Sequence, residues 1–140
     1  MELQQAVIVS GARTPVGSFG GAFKDVAAPE LGSIAIRAAV KRAGLQPDQI
    51  DEVVLGNALQ ANEAGYAARL SSLNAGIPEE VPTIAVNRQC SSGLEAINMA
   101  AQLIRVGEVE IAVAGGTENM SQSPYMLGYQ ARFDGLRMGD

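Results

Sequence analysis

Residues 82–116 read PTIAVNRQCSSGLEAINMAAQLIRVGEVEIAVAGG, and this stretch decides the fold. PTIAV (82–86) is short and partly β-branched, which predicts a strand. Residues 91–106 predict the longest helix of the chain, stopped by Gly107. EIAVA (110–114) predicts a further strand, closed by Gly115 and Gly116. A strand, a helix and a second strand at this spacing form a parallel unit with a right-handed crossover. The helix carries its polar residues Glu95, Asn98, Gln102 and Arg105 on one narrow stripe. Leu94, Ala96, Ile97, Met99, Ala100, Ala101, Leu103, Ile104 and Val106 cover the remainder. A helix apolar over most of its circumference expects cover on most sides. One sheet covers a single side, so either the helix is partly exposed or another sheet or subunit lies over it.

The same alternation extends toward the amino terminus. QAVIV (5–9) predicts a buried strand ending at Ser10-Gly11. Residues 11–23, with Pro15, Gly17, Gly20 and Gly21, predict an irregular loop. After Pro29, residues 30–43 show apolar positions at helical spacing opposite Arg37, Lys41 and Arg42, with Gly44 as the stop. Val53-Val54-Leu55 predicts a strand ended by Gly56, and residues 65–74 predict a helix closed by Gly76 and Pro78. The sum is four strands alternating with three helices, an α/β layered fold. From residue 122 the periodicity fades into loop. Asp48, Asp51 and Glu52 read as an ordinary solvated turn.

Composition excludes several classes. A hydrophobic fraction of 47% against 18% charged residues belongs to a globular chain. The net charge of −5 and the scatter of the ten basic residues argue against a nucleic-acid surface. One cysteine permits no intrachain disulfide. The start shows no basic region leading into an apolar core, and no run of eighteen apolar residues predicts a membrane span. A reducing cytoplasm is the expected location. Nothing in the sequence groups metal ligands, and histidine is absent.

Cys90 lies between the strand ending at Val86 and the long helix. A thiolate at the amino end of a helix gains from unpaired N–H groups and the helix dipole. The same N–H groups can hold an oxyanion as a thioester is attacked. A free thiol titrates at roughly 8.5. Lowering that by about two units requires ~2.7 kcal/mol, while a helix terminus contributes ~0.3–1 kcal/mol. The dipole therefore falls short, and a basic partner, usually His, must complete the activation. This chain has none to offer. Without further context a lone cysteine is more often a small, inert, buried residue.

Further segments supply that context. Asn87-Arg88-Gln89-Cys90-Ser91-Ser92-Gly93-Leu94 resembles the thiolase nucleophile signature Asn-x-x-Cys-x-Ser-Gly. The stretch from Arg13-Thr14-Pro15-Val16 to Gly21 resembles the amino-terminal loop of that family. Gly115-Gly116-Thr117-Glu118-Asn119-Met120-Ser121 resembles the segment after its fourth strand, and Arg137-Met138-Gly139-Asp140 its entry into the loop domain. Four motifs in register over nearly the whole chain make the resemblance specific.

The resemblance implies a thiolase-like layered α/β fold, here the amino-terminal half only, with a mostly parallel sheet and a buried helix after the nucleophile. Residues 1–121 would form the amino-terminal domain without its last strand, and 122–140 the start of an inserted loop domain. Two such halves stack in the family, with this helix between their sheets. The implied reaction is condensation of two acetyl-CoA to acetoacetyl-CoA, or cleavage of a 3-ketoacyl-CoA with CoA. Cys90 would carry the acyl group, and its backbone N–H would form part of one oxyanion hole. The family's histidines and second cysteine lie in the other half, so Cys90 alone carries over as catalytic. CoA thioesters would act as substrates, with no permanently bound cofactor and no metal. A homo-oligomer, dimer or tetramer, is implied for the complete enzyme. The tail around Tyr125, Met126, Leu127, Tyr129, Phe133, Leu136 and Met138 would help assemble subunits and approach CoA, or else stand unpacked.

Other features have plainer readings. Gly17–Gly21 lacks the Lys-Ser/Thr of a P-loop and reads as a structural loop. Gly115-Gly116 reads as a tight turn near the catalytic helix in preference to a ligand cradle, and Glu118 and Asn119 as structural hydrogen-bonding residues in preference to residues that shape the active-site floor. A ketoacyl synthase is disfavoured by the cysteine context and the Arg-Thr-Pro loop. The remaining alternative is a non-catalytic truncated or split fragment acting only through association with the other half.

Overall fold

Side-chain alternation along one central strand separates two cores. In the computed structural model, which describes residues 3–61 and 66–132, that strand is β1 (Glu52–Gly56). The order along the chain is α1 (Ala28–Arg42), β1, α2 (Ala67–Asn74), β2 (Thr83–Val86), α3 (Ser92–Arg105) and β3 (Ala112–Gly116). The sheet runs β2-β1-β3, with both pairings parallel. Val54 pairs with Ile84 on one side and Ala114 on the other.

Successive strand residues point to opposite faces. Val53 and Leu55 join Ile36 and Val40 of α1, Ala68 of α2, and Ile50, Ala75, Ile77 and Val81. Val54 instead joins Val86 with Ala96 and Ala100 of α3. Helices α1 and α2 thus cover one face and α3 the other. Val53 and Val54 are fully buried, and burial of such a side chain stabilises by ~1.5–3 kcal/mol. A strand buried on both faces reads as continuous apolar sequence, which is why Val53-Val54-Leu55 was legible.

The helices keep close to their expected bounds. Helix α1 begins two residues earlier than its apolar pattern, with Pro29 in the first turn where its missing N–H costs nothing. Helix α2 begins at Ala67, and the predicted start at Gly65 lies outside the described residues. Helix α3 ends at Arg105, and Gly107 follows with φ 75°, a left-handed conformation that suits glycine.

Four expectations are corrected. The segment 5–9 is not a strand. It runs without sheet partners, and Val7, Ile8 and Val9 are 65%, 84% and 73% exposed. It is held only near its ends, where Gln4 N–H donates to Arg105 O at 2.9 Å and Ser10 Oγ donates to Ala39 O at 2.9 Å. Its β-branched residues favour extended backbone, but no described strand lies where it could pair. The sheet described therefore has three strands.

Strand β3 begins two residues later than predicted, because the Asp51 carboxylate takes the N–H groups of Glu110 and Ile111, each at 2.9 Å. Nor is Glu52 part of a solvated turn: it lies in β1 at 7% exposure, and burial and the nearby Glu108 carboxylate raise its pKa, while Asp51 stays exposed. Gly115 and Gly116 lie inside β3 and form no turn. Of the two alternatives for α3, partial exposure holds: among the described residues the helix is covered on one side. Ser92, Ala96 and Ala100 are buried, while Leu94 and Ile97 are 65% and 40% exposed. No helix of the described residues is long and apolar enough to cross a membrane.

Candidate active site

In a parallel sheet the carboxyl ends of the strands are where ligands meet the chain. Here β1 runs into Asn57, β2 into Asn87, and β3 into Thr117 and Glu118. Cys90 sits on the short turn between β2 and α3, and it is exposed. The turn is tightly specified. Gln89 adopts φ 53°, a left-handed conformation that costs a residue with a β-carbon about 1–2 kcal/mol. Asn87 Oδ1 accepts from Gln89 N–H at 3.1 Å. Ser92 Oγ accepts from Arg88 N–H at 2.9 Å and donates to Gln89 O at 2.5 Å. Arg88 also pairs with Glu95 at 2.7 Å, but its side chain is 66% exposed, so this contact contributes little.

The amide groups around the sulfur are the chemically useful ones. Ser91 N–H and Ser92 N–H close back onto Arg88 O and Gln89 O. The N–H groups of Cys90, Gly93 and Leu94 donate to no protein oxygen among the described residues. They remain available to an oxyanion or a thiolate at the head of α3.

Glycines let the helix head reach the sheet. A β-carbon on Gly56 would meet the Gly93 nitrogen at 2.5 Å, and one on Gly116 would meet the Gly93 α-carbon at 3.1 Å. Only backbone separates the ends of β1 and β3 from the first turn of α3. Gly116 thus serves close packing, a role distinct from either a turn or a ligand cradle.

Beneath the Cys90 turn lies a second set of hydrogen bonds. Glu118 Oε1 accepts from Asn57 Nδ2 at 3.0 Å, and its Oε2 accepts from Ala58 N–H at 2.8 Å and Leu59 N–H at 3.3 Å. Asn57 Nδ2 also donates to Thr117 O at 2.9 Å. Ala58 O in turn accepts from Asn87 Nδ2 at 3.0 Å. Sequence reading places Asn87 in the nucleophile motif and prefers a structural role for Glu118 over one in shaping the active-site floor, but it misses Asn57 altogether. The available signal was position: Asn57 and Glu118 each follow closely on a strand that ends in glycine.

Two of the predicted motifs come together in space. Gly20 N–H donates to Ser121 Oγ at 2.9 Å, and Asn119 Nδ2 donates to Phe23 O and Val26 O. Thr117 Oγ1 donates to Ala28 O at 2.6 Å. The glycine-rich loop is therefore stitched to the segment after β3. Beyond it, Tyr125, Met126, Leu127 and Tyr129 are all strongly exposed. Phe133, Leu136 and the stretch Arg137-Met138-Gly139-Asp140 lie outside the described residues. A cavity of about 270 Å³, lined by Arg37, Lys41, Gly44 and Pro47 among others, lies at the far end of α1 and includes none of the strand-end residues.

Fold and site together define an α/β protein that presents a thiol on the turn between a parallel strand and the helix after it. The chain belongs to the thiolase family: the model of the thiolase N-terminal domain matches residues 6–140. It is 47% identical over 138 residues to an acetyl-CoA acetyltransferase of Cupriavidus necator, covering 99% of this chain and 35% of that protein. It is 49% identical over 137 residues to a probable acetyl-CoA acyltransferase of Staphylococcus aureus, covering 98% of this chain and 34% of that protein. The crystal structure of the Bacillus anthracis acetyl-CoA acetyltransferase superposes with a TM-score of 0.90 at 42% identity, over 99% of this chain and 35% of that one. The chain thus spans about a third of the length of the relatives it matches.

Proposed function

We propose that this chain carries the nucleophile of an acyl-CoA acetyltransferase of the thiolase type. The observation that supports this best is the exposed Cys90 on its braced turn at the carboxyl ends of three parallel strands, beside unpaired amides at the head of α3. The relatives' names supply the substrate class.

In this reading the Cys90 thiolate attacks the carbonyl carbon of an acyl-CoA. The C=O electrons move onto oxygen, and the oxyanion is held by amides such as Cys90 N–H. Collapse expels the CoA thiolate, which takes up a proton, and leaves an S-acyl cysteine. In condensation the carbanion of a second acetyl-CoA displaces Cys90 and gives acetoacetyl-CoA. In the reverse sense CoA cleaves a 3-ketoacyl-CoA. CoA thioesters enter and leave as substrates, and no permanently bound cofactor takes part.

The acid/base groups must come from elsewhere, since none of the 140 residues is a histidine and Cys90 is the single cysteine. The open side of α3 offers the place for that contribution, with Leu94 and Ile97 exposed toward it. This favours a second statement about the polypeptide alone: these 140 residues do not turn over by themselves and act in association with the material that covers α3. A homo-oligomeric complete enzyme, a cytoplasmic setting and a role in fatty acid metabolism belong to the same proposal.

Incubation of the complete protein, with its acid/base part present, with radiolabelled acetyl-CoA, followed by peptide mapping, should place one acetyl group on Cys90. Cys90→Ser should abolish both the label and formation of acetoacetyl-CoA. Full condensation activity in Cys90→Ser would sink the proposal.

A further inference from the structure

Glu118 is a half-buried carboxylate with three protein donors, none of them a cation. Hydrogen bonds to a charged group are the strong ones. This one gathers the backbone of Ala58 and Leu59 and the side chain of Asn57 into a fixed arrangement. The consequence passes outward through a single atom. Ala58 O, fixed by the clasp on its own N–H, accepts from Asn87 Nδ2 at 3.0 Å. The other end of the Asn87 amide accepts from Gln89 N–H at 3.1 Å. Gln89 is the residue in the left-handed conformation directly before the cysteine.

The clasp has a cost that a pure brace need not carry. Asn57 is 2% exposed, and its Oδ1 has no hydrogen-bond partner among the described residues. A buried acceptor left unpaired is unfavourable, and where it persists it points to a constraint on the rest of the group. Both Asn57 donor hydrogens are committed to Thr117 O and Glu118 Oε1.

We infer that Glu118 is a positioning residue for Cys90: through Ala58 and Asn87 it sets the turn that aims the sulfur. This rests on the acyl-transfer reading for its consequence in catalysis, but the positioning itself does not. Glu118 touches neither the sulfur nor any reacting atom. It acts by fixing the carbonyl on which Asn87 hangs.

The test uses the complete protein, these residues together with the part that supplies the acid/base groups, with Glu118→Gln, Glu118→Asp and Asn87→Ala. Circular dichroism verifies that each is folded. Glu118→Gln places an amide hydrogen against an amide hydrogen at one of its contacts, and it should lower kcat at least tenfold while KM for acetyl-CoA moves less than twofold. Asn87→Ala cuts the same route at its last link and should give a similar loss. The double variant should be no worse than either single one, since both interrupt one path. Glu118→Asp keeps the charge and should recover part of the rate. Should Gln at 118 prevent folding, Asn87→Ala and Glu118→Asp carry the comparison alone.

Alkylation of Cys90 by iodoacetamide provides the independent arm, because it needs only the presented thiol. Its rate should change at least threefold in Glu118→Gln and Asn87→Ala. Alkylation and turnover both within twofold of the parent in these variants would overturn the inference. Losses that multiply in the double variant would do the same. An unmodified protein that takes no acetyl group on Cys90 overturns the acyl-transfer reading instead, and the alkylation rates still decide the positioning.

Discussion

Gln89 holds a backbone conformation that its side chain does not favour, one residue before the sulfur. Glycine has no β-carbon to clash at positive φ. Gln89→Gly should therefore leave the chain as stable as the parent or raise its stability by about 1 kcal/mol. Gln89→Val, with a branched β-carbon, should lower it by ~1–2 kcal/mol or more. Urea unfolding midpoints of the two variants measure both directions. At this scale the sequence is informative for Cys90, because a thiol before an apolar helix has few readings once Asn87 and Ser92-Gly93 flank it. It is uninformative for Glu118, whose partners Asn57 to Leu59 lie some sixty positions away along the chain. Nothing in a glutamate after a strand announces which amides it will meet.

At the scale of elements, the head of α3 rests on β1 and β3 through glycines alone. A methyl group on Gly56 would lie at 2.5 Å from the Gly93 nitrogen, and backbone cannot step aside as a flexible side chain can. Forcing one carbon into a packed contact typically costs ~1–3 kcal/mol. Gly56→Ala should therefore lose at least that much stability in denaturant unfolding, and it should slow acylation of Cys90 by tilting the helix head. The helices were legible because their apolar spacing is intrinsic to each segment, as in α1 and α3. The strands were less so. QAVIV (5–9) has the composition of a strand but no described neighbour to bond with, and composition cannot report a missing partner. EIAVA (110–114) starts two residues ahead of β3 because Glu110 and Ile111 give their N–H groups to Asp51, a bond invisible in local pattern.

Across the whole molecule, Glu52 links folding to pH. Its pKa lies above the ordinary 4.5, first because burial disfavours the charged form and then because Glu108 stands nearby. The folded chain therefore holds this proton when the unfolded chain has released it. Stability then falls as pH rises from about 4.5 through the raised value, and the loss is complete above it. Glu52→Gln removes the charge while keeping the shape. Melting temperatures of the two proteins should nearly coincide at pH 4, and the variant should melt higher at pH 7.5. Equal melting temperatures at both pH values would contradict this account. The same scale explains why the cover of α3 stays open in the sequence. The apolar circumference of α3 is a property of its sequence, whereas its cover depends on what packs against it, and among the described residues that is one face of the sheet. The α/β class, the parallel order and the thiol's place on the strand–helix turn were readable from local pattern, but which faces remain open was not.

The exposure of Cys90 has a practical side. A maleimide dye or nitroxide offered to this chain has a single sulfhydryl to attach to, and that sulfhydryl is at the surface. One probe then sits on the turn between β2 and α3 without any engineered substitution. Its emission or line shape would register arrival of a covering partner directly, as the dye passes from water into a closed interface.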